Sequence, residues 1–394
     1  MKHMVTNLLE QLDARIAEVL PAVTELRRDL HQHPELAMRE FRTSKCIREW
    51  LAASGMSPWE PLLETDVVAE LPGSSPRVMC LRADIDAVPG EEESTLPYRS
   101  ENPGAMHACG HDAHTAILAG AARVLACWPE PLRATVRFIF QPGEEVRVAG
   151  KDLVEQGACR DATMVYALHD WHGMPLGSFG SREGILFAAG CMFTITVTGR
   201  GCHGAMPEMG INPLPIAARI ITELYAMHER EQASTGSVIT TCMAHAGMSP
   251  NVIPATTELQ GTARYLTAET GERIRREITQ QAELIAQQAG ATASVEFFGR
   301  YDLPLVNTAA GYRQVRGIVE RYFAPGSWQE VPTTMGTEDF AYYLPGREGA
   351  MVRLGVGEDA PPLHSPRFNF PDAALAAGIK FFCLLALTAG GAEL

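Results

Sequence analysis

The sequence predicts an α/β protein in two parts. One is a discontinuous domain with a mixed, mostly parallel sheet flanked by helices; the other is an inserted ferredoxin-like α+β domain. Three observations carry this. Continuous apolar runs at Val78-Met79-Cys80-Leu81, Ala134 to Phe140 and Met164 to Leu168 suit strands buried on both faces, and helical patterns separate them. From about residue 187 the texture changes to alternating strands, and a β-α-β-β-α-β order follows. After residue 300 the first texture returns. The expected boundaries are 1–186 with 300–394 for the first domain and 187–299 for the second, and a chain of 394 residues favours two domains over one.

In chain order, residues 5–55 repeat apolar positions at helical spacing with a break near His33-Pro34-Glu35, which predicts two helices. The second runs Thr43 to Ser54 with Ile47, Trp50 and Leu51 on one face. Val67 to Leu71 and Arg77 to Ala83 read as strands, the latter ending at Asp84-Ile85-Asp86. A helix carrying Ala113, Ile117, Leu118, Ala121, Ala122 and Leu125 on its apolar face extends to about Trp128. The strand Ala134 to Phe140 stops at Gln141-Pro142-Gly143-Glu144-Glu145, and a short helix begins at Lys151. The strand Met164 to Leu168 stops at His169-Asp170-Trp171-His172. Three apolar strands thus end in ionisable residues, and in a parallel sheet those ends lie side by side, where open α/β sheets place ligands. The inserted segment reads as strand (Met192 to Thr198), helix (Pro213 to His228), two strands (Ser237 to Ala244, Thr256 to Tyr265), helix (Ala268 to Ala289) and strand (Ala291 to Phe298). A helix at Gly311 to Tyr322, a strand at Ala350 to Leu354 and a helix at Asp372 to Leu387 complete the first domain.

Composition excludes some partners. A formal net charge of -14 argues against nucleic acid and anionic membranes, both of which need basic patches. No apolar run is long enough to span a bilayer, and Met1 to Arg15 is charged throughout, unlike a signal peptide. Nine scattered cysteines, an odd number with several inside apolar runs, suit a reducing cytoplasm and not a disulfide framework.

The chemistry gathers around Met106-His107-Ala108-Cys109-Gly110-His111-Asp112-Ala113-His114-Thr115 at the start of a helix. A thiolate and an imidazole two residues apart, with a glycine allowing an unusual turn between them, are good ligands for zinc or a neighbouring transition metal. A di-metal hydrolase needs about four to six such donors and a carboxylate to handle the proton of the attacking water. The strand ends offer Asp84, Asp86, Glu144, Glu145 and His169, and His364 follows among prolines in Leu363-His364-Ser365-Pro366. Adjacent carboxylates repel and lose hydration when buried, so Glu144-Glu145 points either to a nearby cation or to a solvated turn after Pro142-Gly143. Side chains of neighbours diverge, so one can bind metal while the other handles the proton. Asp84 is expected to hold Arg82 or backbone amides, His107 and His114 to support or cap the ligand run, and His172 to pack beside Trp171.

Six segments in order carry a family resemblance. They are Leu30 to Glu35, Arg82 to Ala87, Met106 to His114, Gln141 to Glu145, His203-Gly204-Ala205-Met206-Pro207 and Leu363 to Phe370. Together they resemble the zinc-dependent aminoacylase/carboxypeptidase family, in the amidohydrolase branch that includes hippurate hydrolase, N-acyl-amino-acid deacylases and auxin-conjugate hydrolases. The resemblance implies that Cys109, His111, Glu145, His169 and His364 hold two divalent ions (Zn, Mn, Co or Ni), with Cys109 suited to bridging. It implies Glu144 as general base, Asp86 as a catalytic-site aspartate, and His203, Asn251 and Arg264 as substrate-binding residues. Glu338 matches an acidic position near the metals, and the inserted domain matches a lid and dimerisation domain. The implied reaction is hydrolysis of N-acyl-L-amino acids by a cytoplasmic homodimer or higher oligomer. A dipeptidase or carboxypeptidase, a metal-free cysteine amidase using Cys109 and His111, and a non-catalytic binding protein are the rival readings. Glu208 and Asn369 depart from the pattern, where relatives often carry His and an acidic residue.

Overall fold

A computed structural model describes residues 2–389 of the chain. The chain divides into two compact units, one formed by residues 1–186, 306–332 and 339–394, the other by 187–305 and 333–338.

The first unit opens with α1 (Lys2–Gln32) and α2 (Phe41–Ala53), separated at the expected His33-Pro34 break. Strands β1 (Val67–Leu71) and β2 (Val78–Asp84) follow, then α3 (His111–Ala126), β3 (Thr135–Gln141), α4 (Glu144–Arg147), α5 (Ala149–Glu155), β4 (Ala162–Trp171) and β5 (Phe179–Ser181). In the second unit lie β6 (Ala189–Thr198), α6 (Pro213–Thr235), β7 (Val238–Ala246), β8 (Thr256–Tyr265), α7 (Ala268–Gln288) and β9 (Thr292–Tyr301). The chain ends with α8 (Ala309–Tyr322), β10 (Trp328–Glu330), β11 (Glu348–Gly355) and α9 (Leu375–Thr388).

Seven strands make the first sheet, in the order β1-β3-β2-β4-β11-β5-β10. The central four, β3, β2, β4 and β11, are mutually parallel, while β1 runs antiparallel to β3. Their buried apolar side chains, Leu81, Phe138, Tyr166 and Val352 among them, join those of α3 and α9 in one core. β3, β2 and β4 are neighbours, so their C-terminal ends sit together, and these are the ends that carry the ionisable residues. A buried network locks two of them: Arg82 donates to Asp84 at 2.7 Å, to Gln141 at 2.9 Å and to Asp339 at 2.9 Å.

The second unit has a four-stranded antiparallel sheet ordered β7-β8-β6-β9, with α6 and α7 packed on it, which is the ferredoxin-like topology expected. Its core holds Phe193, Ile195, Ile220, Leu259 and Ile278. The 333–338 segment belongs to this unit as well, and β9 runs on to Tyr301, past the boundary expected at 299. No helix among the described residues is long and apolar enough to cross a membrane.

Candidate metal centre

The centre is assembled at the N-terminus of α3. Gly110 caps that helix with φ 77°, a left-handed conformation that disfavours side chains. Space forbids one too: a Cβ there would lie 2.2 Å from Asp170 Oδ1. The first turn of α3 is tied down by Asp112, 2.9 Å from Arg27 Nε and 2.8 Å from His31 Nδ1, all three buried. Removing one partner from such a buried pair costs about 3–5 kcal/mol.

Around this anchor the structure brings together all five residues of the expected ligand set. His364 Nε2 is 3.3 Å from Cys109 Sγ and 3.2 Å from Glu145 Oε1. His169 Nε2 is 3.6 Å from the same sulfur, and His111 Nε2 is 3.9 Å from Glu145 Oε1. Two donor triads of ligating atoms result, Cys109-His111-His169 and Cys109-Glu145-His364, each within 4.8 Å. Cys109 is common to both.

The His111 and His169 rings are each aimed by their other nitrogen. His111 Nδ1 lies 3.0 Å from the Asp86 carbonyl and 3.3 Å from Asp86 Oδ1, and His169 Nδ1 lies 2.8 Å from the Asp170 carbonyl. That leaves Nε2 of each facing the cluster, the usual arrangement for metal-binding histidines. His364 holds φ 64° while its N–H donates to Ala108 at 2.7 Å, so the late loop is clamped onto the ligand run.

The donor set fits divalent cations on an observation independent of any family. His111 Nε2 is buried and makes no hydrogen bond, with Asp84 Oδ2 3.7 Å and Glu145 Oε1 3.9 Å away, and a buried polar atom without a hydrogen bond is costly. Charge agrees. Burial works against the His111 cation, yet Asp84, Asp86 and Glu145 outweigh it and raise His111 to about 10. Burial and then the Glu145 charge push the Cys109 thiol well above its usual range. Burial opposes the Glu145 charge too, but His364 and His111 hold that carboxyl below the ordinary value. The cluster concentrates negative charge, and protons on imidazoles answer it; metal cations compete with those protons directly.

The remaining expected residues divide. Glu144 opens α4, buried beside Glu145, and its charge reaches the Cys109 thiol. Asp86 aims His111 and accepts the Glu145 N–H at 3.0 Å, so its carboxylate positions both the ring and the turn beside it. Asp84 takes Arg82, as expected, and also His114 at 2.6 Å, with burial opposing its charge and the surrounding cations holding it well below the carboxylate range. His107 is buried with neither ring nitrogen hydrogen-bonded, and burial lowers it to about 3. His172 stacks on Trp171 as expected.

His203, Asn251, Arg264 and Glu338 lie in the second unit. The Asn251 carbonyl accepts the Gly204 N–H at 2.7 Å, so His203 and Asn251 are neighbours before the start of β8. Arg264 sits at the other end of β8 and reaches Thr337 at 3.3 Å. The strand between Thr256 and Arg264 spans about 27 Å, so within one chain a strand's length separates Asn251 from Arg264.

Sequence patterns missed Asp170 and Glu40. Asp170 bonds His114 at 2.9 Å and fills the space left by Gly110; its place directly after His169 was the available signal. Glu40 is buried, and burial together with the Asp86 charge lifts it to about 7. A carboxyl raised in the folded state adds stability fully below its unfolded value near 4.5, and that contribution is lost as pH rises through about 7. Glu40→Gln should therefore lose less thermal stability than the parent between pH 5 and pH 8, as melting curves of metal-free protein will report.

Parallel strand ends bearing a thiol, imidazoles and paired carboxylates define a hydrolase of metallopeptidase type. The model of peptidase family M20/M25/M40 matches residues 80–388, and the chain belongs to that family, as a hydrolase of amide bonds. It is 34% identical over 376 residues to the N-acetylcysteine deacetylase of Bacillus subtilis (strain 168), covering 92% of this chain and 95% of that one. It is 32% identical to the IAA-amino acid hydrolase ILR1-like 2 of Arabidopsis thaliana, over 97% of this chain and 88% of that one. Among solved structures it is similar to the YXEP protein of Bacillus subtilis, a dinuclear metal-binding peptidase of the M20 family. There the TM-score is 0.81 at 32% identity, over 94% of this chain and 98% of that one.

Proposed function

We propose that the chain is a metal-dependent amidohydrolase that cleaves N-acyl-L-amino acids to a carboxylic acid and a free amino acid. The observation that carries this reading is the pair of donor triads sharing Cys109, in which the buried His111 Nε2 makes no hydrogen bond. Cys109, His111, Glu145, His169 and His364 hold two divalent ions, and zinc, manganese, cobalt or nickel suits this mix of sulfur, nitrogen and oxygen. When bound, the ions supply Lewis acidity toward the amide carbonyl and make water acidic near neutral pH. Glu144, unused as a ligand, takes the proton of the attacking water on its carboxylate and returns it to the leaving nitrogen. Asp86 keeps the His111 ring in register throughout.

Arg264 receives the carboxylate of the amino-acid half, since a guanidinium can bind it through two parallel hydrogen bonds. Asn251 and His203 stand before the start of β8, a strand's length from Arg264, and do not share that task within one chain. A homodimer answers this, with one copy supplying Arg264 and the other His203 and Asn251. The names of the N-acetylcysteine deacetylase and the IAA-amino acid hydrolase support acyl amino acids, and relatives named thermostable carboxypeptidase, 32% identical, support a carboxypeptidase as the second reading. The free cysteines support a reducing cytoplasm.

The test is a panel of N-acetyl, N-benzoyl and indole-acetyl amino acids beside dipeptides, run on metal-analysed protein. Turnover of dipeptides alone would replace this reading by a dipeptidase. Arg264→Met should raise KM about 10- to 100-fold for the best panel member with a smaller change in kcat, since it removes ground-state binding of a carboxylate.

A further inference from the structure

We propose that Glu40 is a positioning residue for Glu144: its buried carboxylate, reaching over from the start of α2, holds the backbone of the turn that carries the base. The inference rests on the reading of Glu144 given above.

Glu40 is the N-cap of α2, yet its side chain does not cap its own helix. Glu35 does so instead, accepting the N–H groups of Arg42 at 3.0 Å and Thr43 at 2.8 Å. The Glu40 carboxylate is thereby left to bond elsewhere. Its Oε1 accepts the N–H of Met38 at 2.8 Å and of Gly143 at 3.0 Å, and its Oε2 accepts the Thr65 hydroxyl at 2.7 Å. Met38 and Gly143 both sit at φ 62°, and the space beside Gly143 is filled by Met38 Sδ, 3.0 Å from where a Cβ would stand. One oxygen thus fastens two left-handed residues 105 positions apart in the chain, by 143 − 38.

The turn needs outside support. α4 has four residues, far short of the dozen or so at which an isolated helix holds itself. Its cap, Gly143, has no side chain to satisfy the first N–H groups. Asp86 takes the Glu145 N–H and Glu40 takes the Gly143 N–H, so the residues on both sides of Glu144 are fixed by carboxylates from separate elements. Rotation of the Gly143 peptide would swing Glu144 directly, and a displacement of about 1 Å in a catalytic group can cost a hundredfold in rate.

The experiment compares Glu40→Ala, Glu40→Gln and Glu144→Gln in the full chain, with the fastest N-acyl amino acid of the panel, metal stoichiometry, and amide hydrogen exchange over residues 142–148. In Glu40→Ala we expect kcat to fall about 10- to 100-fold, KM to stay within about twofold, metal to be retained, and exchange at 143–145 to accelerate. Glu40→Gln should recover most of kcat, because a carboxamide oxygen can accept both N–H groups while its nitrogen bonds Thr65. Parental kcat per loaded site in Glu40→Ala overturns the proposal, as does unchanged exchange, a loss traced wholly to missing metal, or a glutamine variant as impaired as alanine. Full turnover in Glu144→Gln overturns the base assignment and this inference with it; an inactive Glu144→Gln beside a fully active Glu40→Ala overturns this inference alone. Should Glu40→Ala not fold, Thr65→Val removes one of the three bonds, and a fall in kcat of about threefold at constant KM is expected; unchanged kcat there counts against the proposal.

Discussion

Glu144→Gln is expected to lower kcat by about 10³- to 10⁴-fold, near the upper range for loss of a general base. Glutamine keeps the shape and most of the packing of a side chain that is 7% exposed, but it cannot accept a proton. KM should move little, because the carboxylate acts in the transition state more than in ground-state binding. Metal content should match the parent, since Glu145 faces His111 and His364 and is unchanged. Stopped-flow or steady-state kinetics beside elemental analysis decides the matter. A variant that turns over normally with both ions in place would remove Glu144 from the role.

Chelation is the second large effect. Dialysis against a strong chelator should abolish turnover and readdition of a divalent cation should restore it, whereas a thiol amidase built on Cys109 and His111 would keep working. Geometry already weighs against the thiol route. Cys109 is pushed well above its usual range by burial and by Glu145, so it is a poor nucleophile without a cation to hold it deprotonated. Uptake of metal should also release protons, because ligating histidines must be neutral and His111 rises to about 10 without it. Calorimetry in two buffers of different ionisation enthalpy measures that release. Retained activity after complete removal of metal would sink the metallohydrolase reading.

Much of both units could be read from the chain because the signals are local. Val67–Leu71 and Thr256–Tyr265 came out with the strand bounds expected, since apolar runs and alternation are set within a few residues. That Cys109, His111, Glu145, His169 and His364 gather in space was legible for a different reason: strand ends, the start of α3 and a proline-flanked loop offered them as candidates, and the family resemblance picked these five from a longer list. What stayed hidden depends on partners distant in sequence. Nothing near Glu40 announces a bond to Gly143, and nothing near Arg27 announces Asp112. Burial of a charged side chain is decided by the whole fold, so it leaves no periodic trace. The separation of Asn251 from Arg264 was hidden for a related reason, because matching positions to a family says nothing of which end of a strand each occupies.

Cys109 Sγ is the one donor that both triads name. With two ions held as proposed, their occupancies would be linked through that sulfur. Cys109→Ser, which removes the sulfur that both triads share, should lower the occupancy of the two positions together. Elemental analysis of that variant should show no singly loaded form accumulating, with activity lost in step with metal.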